Sequence, residues 1–196
     1  MRKKKLLLWI ILLLPYLGLF FVWQIHNSQI DKIENSSFII ISKEELNLSV
    51  YNYKGKKIAD YPVAIAKNYG NKETKGDMRT PEGIFRISDI ENSDDWGHDF
   101  KDGKGKIVGA YGPFFIRLLT PGHSGIGIHG THDSNSIGTR ATEGCIRLKN
   151  SDLEKLVKQV RVGDVVVITP SKYDVEYKTD SIKKTKFQSQ RTKRNC

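Results

Sequence analysis

Eighteen residues without a charge, Leu6 to Trp23, open the hydrophobic pattern of the chain. As an α-helix they nearly span a hydrocarbon core of about 30 Å. Pro15 and Gly18 do not veto a membrane helix, and Trp9, Tyr16 and Trp23 are amphipathic, two of them near the ends. The cluster Arg2, Lys3, Lys4 and Lys5 ahead of this run predicts a cytoplasmic N-terminus, a single-pass anchor in the cytoplasmic (inner) membrane, and an extracytoplasmic, periplasmic remainder. A cleaved signal peptide is the rival reading, but Gln24 to Ser28 offers no small-x-small cleavage pattern.

After a mostly polar stretch, 24–36, the pattern changes to the period of strands. Phe38 to Ile41 is a short β-branched run, and Leu46, Leu48 and Val50 alternate with Asn47, Ser49 and Tyr51. The turn signal Tyr53 to Lys57 followed by Ile58 to Ala66 predicts a hairpin. Further extended runs fall at Gly83–Ser88, Pro113–Leu119, Gly125–His129 and Val162–Thr169, between clusters of Gly, Pro, Asn and Asp. One helix is marked by Leu153, Leu156, Val157 and Val160 at helical spacing, with Ser151 and Glu154 as a capping box and Gly163 to close it. The polar stretch Glu91 to Lys106 reads as a long surface loop. The fold class is therefore mainly β, with one short helix near the C-terminal end.

Charge sharpens the division of the chain. Of a formal net +10, residues 1–5 supply +4 and residues 170–196 supply +5, leaving an almost neutral interior without a basic stripe. A nucleic-acid-binding domain is thereby disfavoured. Five segments result: a cytoplasmic basic segment 1–5, a transmembrane anchor 6–23, a linker 24–36, one folded domain 37–170, and a basic, disordered tail 171–196. The sequence defines no oligomeric state.

Candidate chemistry lies between Ile126 and Leu148. Ile126 and Ile128 point one way along a strand, and His129 ends it on the other side, facing out of the core. Sixteen residues later comes Cys145, preceded by Gly144, which permits close backbone approach. A thiol and an imidazole are the minimum parts for nucleophilic catalysis, because an adjacent imidazole can raise the thiolate fraction as a thiolate–imidazolium pair. The competing reading is a disulfide with Cys196, the other cysteine of the chain. A zinc site from His129, His132, Asp133 and Cys145 is a weaker alternative, since a loop His-x-x-His lacks regular partners. His98 and His123, in Gly-rich loops, read as solvated.

Three segments, Thr80-Pro81-Glu82-Gly83-Ile84-Phe85, Gly125-Ile126-Gly127-Ile128-His129-Gly130-Thr131 and Thr142-Glu143-Gly144-Cys145-Ile146-Arg147-Leu148, resemble in order the signature blocks of bacterial L,D-transpeptidase catalytic domains. The resemblance covers residues 37–170 and implies a β-sandwich enzyme that acts on the peptide stems of peptidoglycan without a metal or organic cofactor. It implies Cys145 as nucleophile, His129 as base, and the N–H groups of Gly144 and Cys145 as oxyanion donors. Arg147, Tyr111 and Thr142 are implied on the substrate side.

The expected reaction is acyl transfer from a tetrapeptide stem through a Cys145 thioester, with release of D-alanine and formation of 3-3 cross-links. The same intermediate allows L,D-carboxypeptidase activity or attachment of a protein to peptidoglycan. A non-catalytic wall-binding module is the reading from another class. The sequence departs from the family at Glu143, where a second histidine is commoner. A sortase-like pattern does not fit, because the histidine lies too close to the cysteine and no Thr-Leu-x-Thr-Cys block is present.

Overall fold

A computed structural model describes residues 16–28, 31, 36–103 and 105–182. The chain separates into two units, 1–36 and 37–196. In the first, residues 16–28 are helical (α1). Ten of the eighteen residues of the expected anchor, 6–15, lie outside the described residues, and among the described residues no helix is long and apolar enough to cross a membrane. Residues 24–28, expected in the linker, continue α1, while 29, 30 and 32–35 lie outside the described residues.

Among the described residues the second unit has twelve strands, eight of them in its central sheet. Strand β1 (Ser37–Ser42) uses its β-branched run by burying Ile39 and Ile41 on one face. It pairs antiparallel with β2 (Asn47–Asn52) and parallel with β12 (Val165–Thr169), which buries Val166 and Ile168 on the same period. β3 (Lys57–Pro62) completes the expected hairpin with β2. On the other side of β12 follow β5 (Gly83–Asn92), β8 (Phe114–Leu119), β9 (Gly127–His129) and β11 (Ile146–Arg147), the last two parallel.

β3 and β11 are opposite ends of this sheet. Two residues beyond β3, however, Ala64 donates to the Arg147 carbonyl at 2.8 Å and accepts from the Arg147 N–H at 2.9 Å. The sheet therefore curls until the chain leaving one edge bonds the other. This replaces the expected two-sheet sandwich, because polar groups at an open edge are satisfied by closing the sheet on itself. Next to the seam, β4 (Ile65–Ala66) pairs parallel with β10 (Arg140–Thr142).

Inside the curl lies one apolar cluster that includes Ile41, Leu48, Ile116, Ile128 and Ile146, joined by Leu153 and Leu156 of the helix α2 (Asn150–Val157). Truncating one such fully buried leucine to alanine costs about 2–5 kcal/mol.

Several expectations are corrected here. Lys149 caps α2 without a side-chain bond, so Ser151 and Glu154 form no capping box; both lie within the helix. Helix α2 ends at Val157, and Gly163 belongs instead to the turn into β12, where its N–H bonds Ile87 O at 2.8 Å. The stretch Glu91 to Lys106 is not all loop: β5 runs to Asn92, and β6 (Gly97–Asp99) and β7 (Lys106–Val108) form a small hairpin.

The tail is corrected over its first part, since residues 172–182 are helical (α3); 183–196 lie outside the described residues. Ser171 and Asp174 exchange caps at the start of α3, with Ser171 N to Asp174 Oδ2 at 2.7 Å and Asp174 N to Ser171 Oγ at 3.3 Å. Asp174 also accepts from Gly70 N at 2.6 Å and pairs with Lys43 at 3.1 Å and Arg140 at 3.1 Å, all next to the core. A net basic composition hid this buried anchor.

Candidate active site

The parallel pairing of β9 with β11 sets Ile128 beside Ile146 and His129 beside Arg147, so eighteen residues of separation collapse to one strand spacing. Ile128 and Ile146 go to the core, and the alternation of strands turns His129 and Arg147 to the opposite face. Cys145 stands immediately before β11. Cys145, His129, Arg147 and Tyr111 all line one cavity of about 260 Å³.

His129 leaves the core as expected but does not face solvent: it is 5% exposed. Phe115, its neighbour across β8 and β9, stacks on the imidazole, and the Tyr111 ring meets it edge-on with centroids 4.9 Å apart. Nδ1 lies 2.7 Å from Gly130 O. A carbonyl only accepts, so the proton sits on Nδ1 and Nε2 keeps its lone pair. Burial, against that hydrogen bond and with the positive charge of Arg147, lowers the imidazole to about 3. His129 is a neutral imidazole at any physiological pH.

The Cys145 thiol is free and half-buried, and it donates to Gly125 O at 3.3 Å. Burial pushes its pKa up, opposed by a backbone hydrogen bond and by the positive charges of Lys72 and Arg147. Both shifts favour the uncharged thiol and imidazole over the thiolate–imidazolium pair expected from the residues alone. Cys196, the partner of the alternative disulfide, lies outside the described residues.

Gly144 has φ +150°, and a Cβ there would lie 3.3 Å from Arg79 O and 3.2 Å from Ile126 Cδ1, so the position needs glycine. The Gly144 N–H already bonds Thr142 Oγ1 at 3.3 Å, and that hydroxyl donates to Cys145 O at 2.6 Å. Thr142, 2% exposed, thereby ties the turn that carries the thiol, and its hydroxyl is not open to a ligand. The Cys145 N–H has no protein partner among the described residues and is the more available oxyanion donor.

Arg147 is 6% exposed; Nη1 donates to Ser136 Oγ at 3.0 Å, and Nε is buried without a partner. Among the described residues no carboxylate lies within ion-pair distance of it. A buried guanidinium left in this state on a cavity wall is suited to an incoming carboxylate.

Two cavity residues escaped the sequence reading. Lys72 is buried and held by Asp77 at 2.8 Å, near Gly144, in a stretch where nothing but turn chemistry was legible. His98, read as solvated, is brought by the β6–β7 hairpin to Glu143, with Nε2 to Oε2 at 3.3 Å, while Tyr111 Oη lies 3.1 Å from its Nδ1. Glu143 lacks a histidine's ring, and the hairpin supplies one. His123 sits in the turn after β8, and His132 is exposed beside Phe100, so neither joins the cavity. Among the described residues no group of three or more metal-ligating side chains is assembled.

A curled, mainly β domain that turns one thiol, one imidazole and one guanidinium without a direct ion pair among the described residues into a common cleft has the parts of an acyl-transfer enzyme. The sequence model of the L,D-transpeptidase catalytic domain (YkuD) matches residues 36–168. The chain belongs to the L,D-transpeptidase family, whose members modify peptidoglycan.

Among its relatives is a Bacillus licheniformis protein carrying the provisional name L,D-transpeptidase YkuD. It is 30% identical over 132 residues, covering 67% of this chain and 65% of the relative. Another is Escherichia coli YcfS, also provisionally named an L,D-transpeptidase, 30% identical over 153 residues that cover 70% of this chain and 46% of the relative. The chain thus spans less than two thirds of the length of either. Among solved structures, the helical cell shape determining protein Pgp2 from Campylobacter jejuni superposes with a TM-score of 0.52 at 25% identity, over 70% of this chain and 48% of that one. An L,D-transpeptidase from Mycobacterium smegmatis shares the fold, with a TM-score of 0.50 at 19% identity over 68% of this chain and 58% of that one.

Proposed function

We propose that the protein is a membrane-anchored L,D-transpeptidase that acts on peptidoglycan tetrapeptide stems through a Cys145 acyl-enzyme and forms 3-3 cross-links. The observation that carries this reading is the convergence of Cys145, His129 and Arg147 on one cavity. Arg147 receives a carboxylate of the donor stem. The sulfhydryl proton passes to His129 Nε2 as sulfur attacks the carbonyl of the third stem residue, and the Cys145 N–H takes the oxyanion. His129 then gives that proton to the amine of the departing D-alanine, leaving a thioester.

The side-chain amine of a neighbouring stem resolves the thioester to an amide, and water in its place gives a carboxypeptidase. The uncharged run Leu6 to Trp23 behind four basic residues supports a single-pass anchor in the bacterial inner membrane, with the catalytic domain on the extracytoplasmic, periplasmic side.

The test is the intact mass of the protein after incubation with a disaccharide tetrapeptide, followed by product analysis. A transient adduct equal to the donor less D-alanine, absent in Cys145→Ala, is the expected result. No adduct, or turnover retained in Cys145→Ala, overturns the reading.

A further inference from the structure

The cavity holds a second proton-handling chain that the acylation step does not use. Tyr111, in the turn between β7 and β8, faces His129 with its ring edge, and its hydroxyl lies 3.1 Å from Nδ1 of His98. His98 comes from the β6–β7 hairpin, and its Nε2 lies 3.3 Å from Oε2 of Glu143, the residue two before Cys145. The carboxylate can only accept, which places the His98 proton on Nε2 and leaves Nδ1 to accept from the tyrosine O–H. The arrangement is a hydroxyl, an imidazole and an orienting carboxylate in series, the layout by which a third group fixes the tautomer of a base.

All three side chains line the same cavity as the thiol. Burial, with Cys145 and Glu143 close by, raises the Tyr111 hydroxyl above its ordinary value, which keeps its proton in place at rest. The chain of contacts joins three separate pieces of structure, and its imidazole lies outside both segments that carry Cys145 and His129.

We infer that Tyr111, His98 and Glu143 form a relay that serves the second half-reaction by accepting the proton of the attacking acceptor amine. The inference rests on the proposed acyl-enzyme. The acceptor, in its free-base form, adds to the thioester carbonyl and becomes a positively charged nitrogen in the tetrahedral intermediate. That nitrogen passes a proton to Tyr111 Oη while the tyrosine proton moves to His98 Nδ1, and the resulting imidazolium is held against Glu143. The C–S bond then breaks, the amide C–N bond remains, and the proton returns through solvent to the Cys145 sulfur. Nothing is oxidised or reduced. Tyr111 is the group that touches the acceptor, and His98 and Glu143 are positioning residues acting through it. Water that reaches the thioester without contacting Tyr111 does not use the relay, so the relay favours amine transfer over hydrolysis.

The experiment loads the full-length enzyme with a disaccharide tetrapeptide donor, offers a stem peptide with a free side-chain amine as acceptor, and measures the ratio of amide to hydrolysed product. His98→Gln and Glu143→Gln are each expected to lower that ratio by at least about tenfold near neutral pH, the deficit shrinking as pH rises and hydroxide substitutes for the relay. Tyr111→Phe should do the same. A ratio of two products from one intermediate is blind to the fraction of protein folded, so a destabilised variant still reports. An unchanged ratio in both the His98 and Glu143 variants, or a deficit that does not vary with pH, overturns the relay while leaving the acyl-enzyme intact. An unaltered enzyme that forms no adduct overturns the proposed function, and the relay with it.

Discussion

Phe115 lies flat against His129, the ring planes 8° apart and the centroids separated by 5.7 Å. The contact shields the imidazole from water on a face where solvent would otherwise stabilise its protonated form. The folded-state value of about 3 lies below the ordinary 6.5, so between those limits the unfolded chain binds the extra proton. Stability from this group is complete above about pH 6.5 and is lost as pH falls toward about 3, with a slope of at most about 1.4 kcal/mol per pH unit. Urea midpoints at pH 7 and pH 5 should differ accordingly, and His129→Gln should flatten the difference. An equal slope in the variant would assign the effect elsewhere.

Reactivity of the Cys145 thiol should follow the same burial. Because the Cys145 pKa is raised, the rate of alkylation by iodoacetamide is expected to climb with pH beyond the range of a free cysteine, with no plateau at neutrality. Lys72→Met removes a nearby positive charge and should slow the reaction further at any given pH. Full reactivity at pH 6 would instead mean a preformed thiolate.

Arg147 supplies a test on the substrate side. Replacing it with Gln should lower kcat/KM for a tetrapeptide by at least about tenfold, the loss of one charge-assisted hydrogen bond of about 1.5–3 kcal/mol. A donor whose terminal carboxylate is amidated should be nearly indifferent to the substitution. Equal losses on both donors would reduce Arg147 to a structural part.

How far the sequence reaches can be judged residue by residue. Strands such as β1 and β12 were legible because β-branched runs at period 2 leave little choice, and Cys145 and His129 stood out because their chemistry is rare in this chain. The curl of the sheet was not, since the Ala64 pairing with Arg147 is a long-range event that no local pattern records. His98 was misread for the same reason: a histidine in a polar, Gly-rich stretch looks solvated until the β6–β7 hairpin places it beside Glu143. The start of α3 is different. Ser171 and Asp174 have capping-box spacing, and that signal was present but outweighed by the basic composition around it.

Asp174 gives a stability prediction on that helix. Burial alone pushes its carboxyl up, but hydrogen bonds from Ser171 and Gly70, with Lys43 nearby, hold it down to about 2. Its contribution is therefore present above the ordinary 3.8 and is lost as pH falls through about 2. Asp174→Ala leaves Lys43 its pair with Glu82 at 2.6 Å but removes the Ser171 cap and the acceptor of the Gly70 N–H, and should cost about 1–3 kcal/mol, read as a lowered urea midpoint at pH 7. A change within about 0.5 kcal/mol would mean that α3 is dispensable.

Gly130 follows His129 where two chain segments nearly touch. A Cβ there would first meet Asn150 Oδ1 and would stand 2.9 Å from Gly112 Cα and 3.1 Å from Tyr111 O. Gly130→Ala is expected to force the Tyr111 turn away from the histidine, lowering both the thermal midpoint and the acylation rate per folded molecule. Acylation at the unaltered rate in folded protein would show that the turn can yield without consequence.

The seam between Ala64 and Arg147 has a bearing on when the chain becomes dangerous to its surroundings. A reactive sulfur exposed on a half-formed polypeptide invites oxidation and indiscriminate modification. Here the sulfur rides on the segment that shuts the ring, and its imidazole rides on the neighbouring strand, so neither has its working environment while the ring is open. A chain with that seam unmade lacks the assembled cleft.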